Sequence, residues 1–255
     1  MTVDYLEIKN EIPSLKEKEV RVVIQSASAS TYSDTSHVRT LLNDSRFRPS
    51  RVLHIVQHGI GALRLPLPSS ELVTKIFHDD GSVAYTSTRA KKSSGSAVLS
   101  HPKLGDLIST TYYWGPGRPP ILKLLERQDD VDTVTVHGKC ISRTTNFTTP
   151  DGSVFEWSYT CTKDTNGKKV NVIVLEEKET GKILAQLNRG EGTRMEGTSR
   201  CSAGNGGQLI LDQDATSHMD KALIVATCLV MLKKEIDRRR CAQMAVMAGA
   251  ASSGS

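Results

Sequence analysis

The run Ala222-Leu-Ile-Val-Ala-Thr-Cys-Leu-Val-Met-Leu232 is apolar on every side, with Asp220-Lys221 before it and Lys233-Lys-Glu-Ile-Asp-Arg-Arg-Arg240 after it. A surface helix pairs an apolar stripe with a polar face; a helix lacking the polar face has to be enclosed all round. A run of this length rises about 16 Å, well short of the ~20 residues a bilayer core requires. The pattern therefore predicts a helix over about 218–240 that is sheathed by protein, and no transmembrane segment.

The chain ahead of it reads as short β runs separated by turn residues. Glu71–Phe77 and Ser82–Thr88 flank Asp79-Asp-Gly81, and Val154–Thr160 follows Pro150-Asp-Gly152. Asn166-Gly167 carries the strongest hairpin signal, and Val170–Leu175 and Lys182–Leu187 flank Glu179-Thr-Gly181. Ala97–Ser100, Asp106–Tyr113, Ile121–Leu125, Val131–Val136, Cys140–Phe147, Thr193–Ser199 and Gln208–Leu211 bring the total to about twelve strands of mostly hairpin spacing. So many strands in an open twisted sheet are unusual, and closure removes the exposed edges. Side chains alone fill a barrel of about eight strands, so a wider one needs an occupant, and the all-apolar helix supplies it. The predicted fold is mainly β: a closed antiparallel barrel of about twelve strands around a buried hydrophobic C-terminal helix. A two-sheet sandwich with the helix across one end is the alternative.

The first 70 residues are less regular. Val20–Gln25 and Arg51–Gln57 read as strands and Thr35–Leu42 as a short helix, before Leu65-Pro-Leu-Pro-Ser-Ser70 interrupts any regular element. The expected organisation is an irregular N-terminal extension over 1–70 that can contribute strands, the barrel and helix over 71–241, and a flexible tail over 242–255.

Composition narrows the function classes. With 38% hydrophobic and 24% charged residues, the 255-residue chain is an ordinary globular sequence. A net charge of +5 biases it mildly towards anionic partners without the strong basicity of a nucleic-acid binder, and 5% aromatic content is too little for base-stacking platforms. No nucleic-acid partner is expected. The five cysteines are odd in number and lack a C-x-x-C pair, which suits reduced thiols. The N-terminus lacks the basic start and apolar stretch of a secretory signal, so a soluble cytoplasmic protein is expected.

The order of elements, a dozen strands ending in a hydrophobic helix, resembles the superfamily that unites tubby C-terminal domains, plant LURP-one proteins and phospholipid scramblases. Gln208-Leu-Ile-Leu-Asp-Gln-Asp214 and His218-Met-Asp-Lys-Ala-Leu-Ile-Val-Ala-Thr-Cys-Leu-Val-Met231 carry most of the likeness. Asp151-Gly-Ser-Val-Phe-Glu-Trp-Ser-Tyr159, with Val172–Leu175 and Ile183–Leu187, looks similar to an uncharacterised fungal branch of that group. The resemblance implies a barrel closed around a helix and, for tubby-type domains, phosphoinositide binding through basic surface side chains. The cysteine-rich and acidic calcium-binding segments of scramblases are missing from this sequence.

Basic residues recur at turns: Arg89 with Lys91 and Lys92, Lys168 with Lys169 in the Asn-Gly hairpin, and Arg118 in Trp114-Gly-Pro-Gly-Arg-Pro-Pro120. If these loops share one rim they form an anion site, each charge contributing about 1 kcal/mol near an anionic membrane surface. Otherwise they are solvated charges that keep strand edges apart. The charged run Lys233–Arg240 reads first as the exposed end of a buried helix and only second as a surface for an acidic membrane or nucleic acid. His54 and His58 sit in a strand pattern, where four residues span about 12 Å or more, so no metal site is assigned. No G-x-S-x-G, H-E-x-x-H or dinucleotide-binding glycine fingerprint is present, so neither a cofactor nor a catalytic residue is assigned. The sequence thus points to a non-enzymatic, cytoplasmic binding domain for an anionic ligand such as a phosphoinositide headgroup, with a peripheral membrane location. The alternatives are a hydrophobic small-molecule binding protein or an enzyme of specialised metabolism using a barrel pocket, and a protein–protein adaptor working through the first 70 residues.

Overall fold

Twelve strands form: β1 (Pro49–Val56), β2 (Val73–His78), β3 (Val83–Thr88), β4 (Ala97–His101), β5 (Gly105–Thr111), β6 (Ile121–Leu124), β7 (Thr133–His137), β8 (Thr145–Thr148), β9 (Val154–Lys163), β10 (Lys169–Glu177), β11 (Ile183–Asn188) and β12 (Gly207–Asp212). Buried and exposed positions alternate in strands such as β7 and β8, whereas β11 and β12 are buried along almost their whole length. A short helix α1 (Ala215–His218) and a long helix α2 (Lys221–Ser252) follow. The computed structural model describes residues 47–61, 71–113, 118–125, 132–138, 142–163, 169–190, 192–193, 198–199 and 201–252. Every strand pairs antiparallel with its sequence neighbours, and β1 pairs with β12 to close the barrel. Val52 lies opposite Ile210 in that seam.

The lumen is filled by α2. Asp220 caps it: its carboxylate accepts the Ala222 and Leu223 backbone N–H groups at 2.6 and 3.3 Å. Ile224, Val225, Met231 and Leu232 are fully enclosed, against Phe147, Phe155 and Trp157 of β8 and β9 among others. Thr227, polar in this apolar run, donates to the Leu223 carbonyl at 2.9 Å and accepts the Trp157 Nε1–H at 3.1 Å. Its hydroxyl is therefore satisfied where an unpaired one would be costly.

One glycine is required by close approach. Gly204 has φ +67°, and a Cβ there would lie 2.3 Å from Ile236 Cγ1 and 2.6 Å from the Leu232 carbonyl oxygen on α2. Gly204→Ala is expected to cost about 2 kcal/mol or more, through backbone strain and overpacking, and to lower the melting temperature by roughly 4–8 °C. An unchanged melting curve would mean that this loop does not press on the helix.

The stretch expected as an N-terminal extension able to contribute strands supplies β1 from Pro49, which finds its partners in β2 and β12. Two details differ from the sequence reading. The expected strand Thr193–Ser199 is not one at its described residues Thr193, Thr198 and Ser199. Helix α2 continues to Ser252 through what was expected to be a flexible tail, a stretch rich in alanine and methionine, both good helix formers. Val20–Gln25 and Thr35–Leu42 lie outside the described residues. Among the described residues no helix is long and apolar enough to cross a membrane.

Candidate functional site

In an up-and-down barrel, alternate connections emerge at the same end. The odd-numbered strands all finish at one rim, and α2, entering from the other rim after β12, leaves the lumen there. The β3–β4 connection with Arg89, Lys91 and Lys92 lies at that rim. So do Arg118, ahead of β6, and Lys169, which opens β10. Lys168 lies outside the described residues, and Lys169 is described through its backbone, paired with Lys163.

These cations do different things. The Arg89 guanidinium donates to the Ser94 carbonyl at 3.2 Å, to the Lys92 carbonyl at 3.4 Å and to the Glu71 carbonyl, clipping the β3–β4 turn to the approach to β2. Lys91 and Lys92 are exposed on that turn. Arg118 stacks over the Tyr113 ring, 5.6 Å from its centroid. The last turns of α2 divide by face. Arg238 donates to the Ser142 carbonyl at 2.7 Å, Arg239 to the Cys201 carbonyl at 3.0 Å and Gln243 to the Gly61 carbonyl at 3.3 Å, tying the helix to three rim loops.

The remaining face of α2 lines a cavity of about 500 Å³ that opens at the same rim. Ala226, Leu229, Val230, Lys233, Arg240 and Met244 recur at three-, four- and seven-residue steps, one stripe of a helix. The facing wall on β2 to β5 carries short side chains, Thr74, Ser87, Ala97 and Thr110. They leave space where Phe147, Phe155 and Trp157 fill the lumen on the other side. Leu229 is half-buried within an otherwise enclosed run because it faces this space.

Arg89, Lys92, Lys233 and Arg240 border the cavity, and Glu71 is the one carboxylate among its described lining residues. Lys233 Nζ sits 2.6 Å from Asp237 Oδ1 and 4.8 Å from the centroid of the Tyr112 ring. Burial pushes the Lys233 ammonium below its ordinary pKa; Asp237 opposes this, while Arg240 and Arg89 add to it. Arg89 is likewise lowered, by burial first and then by Arg240. Asp237 Oδ1 also lies 3.5 Å from Arg240 Nη1, so one carboxylate is shared by two of the cations at this opening, and a further anion among them is favoured.

Helix α2 is anchored on its opposite side by Glu235, which takes a two-pronged ion pair from Arg189 and also bonds Tyr159 and the Gly204 backbone. His54 and His58 engage separate carboxylates, Asp79 at 3.1 Å and Glu71 respectively. The described residues contain no group of three metal-ligating side chains.

The sequence reading named Arg89, Lys92 and Arg118, the charged run Lys233–Arg240 and, as an alternative, a barrel pocket; it did not bring them together at one opening, nor include Tyr112. A signal was available: Ala226, Lys233 and Arg240 are seven apart, so the two cations continue a face of the apolar run and not merely its end. No family model, no curated protein and no solved structure matches the chain.

Proposed function

We propose that this chain is a non-enzymatic binding domain for an anionic ligand, docked at the rim where α2 leaves the barrel, with the charged headgroup of a phosphoinositide or another anionic lipid as that ligand. The observation that carries the reading is the convergence of Arg89, Lys92, Lys233 and Arg240 on the opening of one cavity, with Lys91 and Arg118 beside it. The resemblance to tubby-type domains is what favours a lipid headgroup over a free anion. A peripheral position at an anionic membrane goes with this reading, each exposed cation adding about 1 kcal/mol.

The test is cosedimentation with vesicles of phosphatidylcholine alone, with added phosphatidylserine, or with added phosphatidylinositol bisphosphate, at low and physiological salt. Selective, salt-sensitive binding to the phosphoinositide vesicles is expected, and reversing the exposed pair (Lys91→Glu with Lys92→Glu) is expected to weaken it tenfold or more. Absence of binding to any anionic vesicle at low salt would refute the proposal.

A further inference from the structure

We propose that the cavity beside α2 receives the hydrocarbon chain of a single-chain anionic amphiphile, a fatty acid or a lysophospholipid acid, whose charged head rests among Lys233, Arg240 and Lys92. The inference rests on the anion-binding reading of the rim and adds the ligand's apolar part. About 500 Å³ lies within the ~300–1,000 Å³ typical of small-ligand sites. Below the mouth the lining includes Ala226, Leu229 and Val230 of α2 and Leu99 of β4. The hydroxyls of Thr74, Ser87 and Thr110 share the facing wall, but most of the lining surface is carbon, which holds water poorly and favours an apolar occupant. The charged groups come later along the same stripe: Lys233 lies about 10 Å up the helix axis from Ala226, and Arg240 about 10 Å beyond that. Charge at the mouth and hydrocarbon surface below it give the site the polarity of an amphiphile. The partial exposure of Leu229, inside a run otherwise closed off from solvent, marks the surface that the chain would cover. One cavity of this volume suits one chain and not the two of a membrane diacyl lipid. Tyr112, whose ring carries Lys233 Nζ on its face, lines the same opening.

The experiment is calorimetric titration of the full chain with octanoate, decanoate, dodecanoate and tetradecanoate, each below its critical micelle concentration. Dodecyl phosphate, dodecanol and inositol trisphosphate serve as parallel probes. Affinity is expected to rise roughly three- to fourfold per added CH₂ until the chain outgrows the cavity. Dodecanol is expected to bind at least tenfold more weakly than dodecanoate, and comparing dodecanoate with dodecyl phosphate tells a carboxylate from a phosphate head. Filling the space with Ala97→Phe or Leu229→Phe is expected to abolish the chain-length dependence; should either fail to fold, the series on the unaltered chain decides alone. Binding of inositol trisphosphate with no binding of any alkyl probe would overturn the chain site and leave the rim reading standing. Dodecanol binding as tightly as dodecanoate would overturn the amphiphile proposal together with the rim's role in it. No binding of any probe would overturn both readings.

Discussion

Replacing Ile224 by aspartate is expected to leave no soluble folded protein, whereas the same change at Leu229 leaves a folded protein of lowered stability. Both residues belong to the apolar run of α2, but only one is sealed. Ile224 is fully enclosed, with no described side chain positioned to pair a carboxylate there. Burying an unpaired ion costs several kcal/mol after relaxation, comparable with the ~5–15 kcal/mol that stabilises a whole domain. Leu229 instead faces the cavity and stands one turn before Lys233, so an aspartate at that position meets both water and a cation. Soluble yield and far-ultraviolet circular dichroism of the two variants check this. Native-like melting of Ile224→Asp would contradict the enclosure of the helix, and total loss of Leu229→Asp would contradict the open cavity.

Removal of the Glu235 carboxylate is expected to cost about 3–5 kcal/mol, or roughly 6–20 °C in melting temperature. The Arg189 and Glu235 side chains are only 12% and 11% exposed, and the guanidinium meets both carboxylate oxygens, at 2.6 and 3.0 Å. Glu235 also accepts the Gly204 N–H at 2.8 Å and the Tyr159 hydroxyl. Glu235→Ala strands a buried guanidinium, while pairing Glu235→Leu with Arg189→Met removes both charges and is expected to recover most of the loss. The pH dependence has a definite sign. Burial alone raises the Glu235 pKa, but the Arg189 charge and hydrogen bond, helped by Tyr159 and Gly204, outweigh it and hold the group below its ordinary 4.5. A carboxyl depressed in the folded state stabilises the fold above its unfolded value and ceases to do so as pH falls through the folded one. Chemical denaturation should therefore show stability declining below about pH 4.5, with a flatter decline in Glu235→Gln. Identical acid profiles would dissociate the pair from the acid limb.

Much of this architecture is readable because its signals are local. An eleven-residue run with no polar face can only be internal, and hairpin turns such as Asp79-Asp-Gly81 and Asp151-Gly152 mark where strands reverse. The seam is a different matter. Arg51–Gln57 reads as a strand, yet nothing within it says that it pairs with β12, so the proline-bearing stretch after it looks like a domain boundary. Thr193–Ser199 is expected as a strand, but its described residues Thr193, Thr198 and Ser199 are not in one, and β11 pairs directly with β12. The site is partly legible for the same reason. Arg89 and Lys92 show up as turn residues, but their convergence with Lys233 and Arg240 depends on the strand order and on which face of α2 meets the short side chains of β2 to β5. Space left by Ser87, Ala97 and Thr110 is a property of several strands together, and no single stretch of sequence displays it.

Closure of the barrel by β1 and β12 also constrains how the protein is made. Ser50 and Leu211, bonded across the seam, are 161 positions apart in sequence, and the segment that occupies the lumen follows both. A chain emerging from the ribosome therefore exposes the inward faces of eleven strands before either the last strand or the core helix exists to cover them. Such non-local closure is slow, and the open intermediate is prone to aggregate. Production of this protein should consequently depend on chaperones that shield the nascent meander, and truncation within the lumen-filling part of α2 should leave that meander uncovered and be severely damaging in cells.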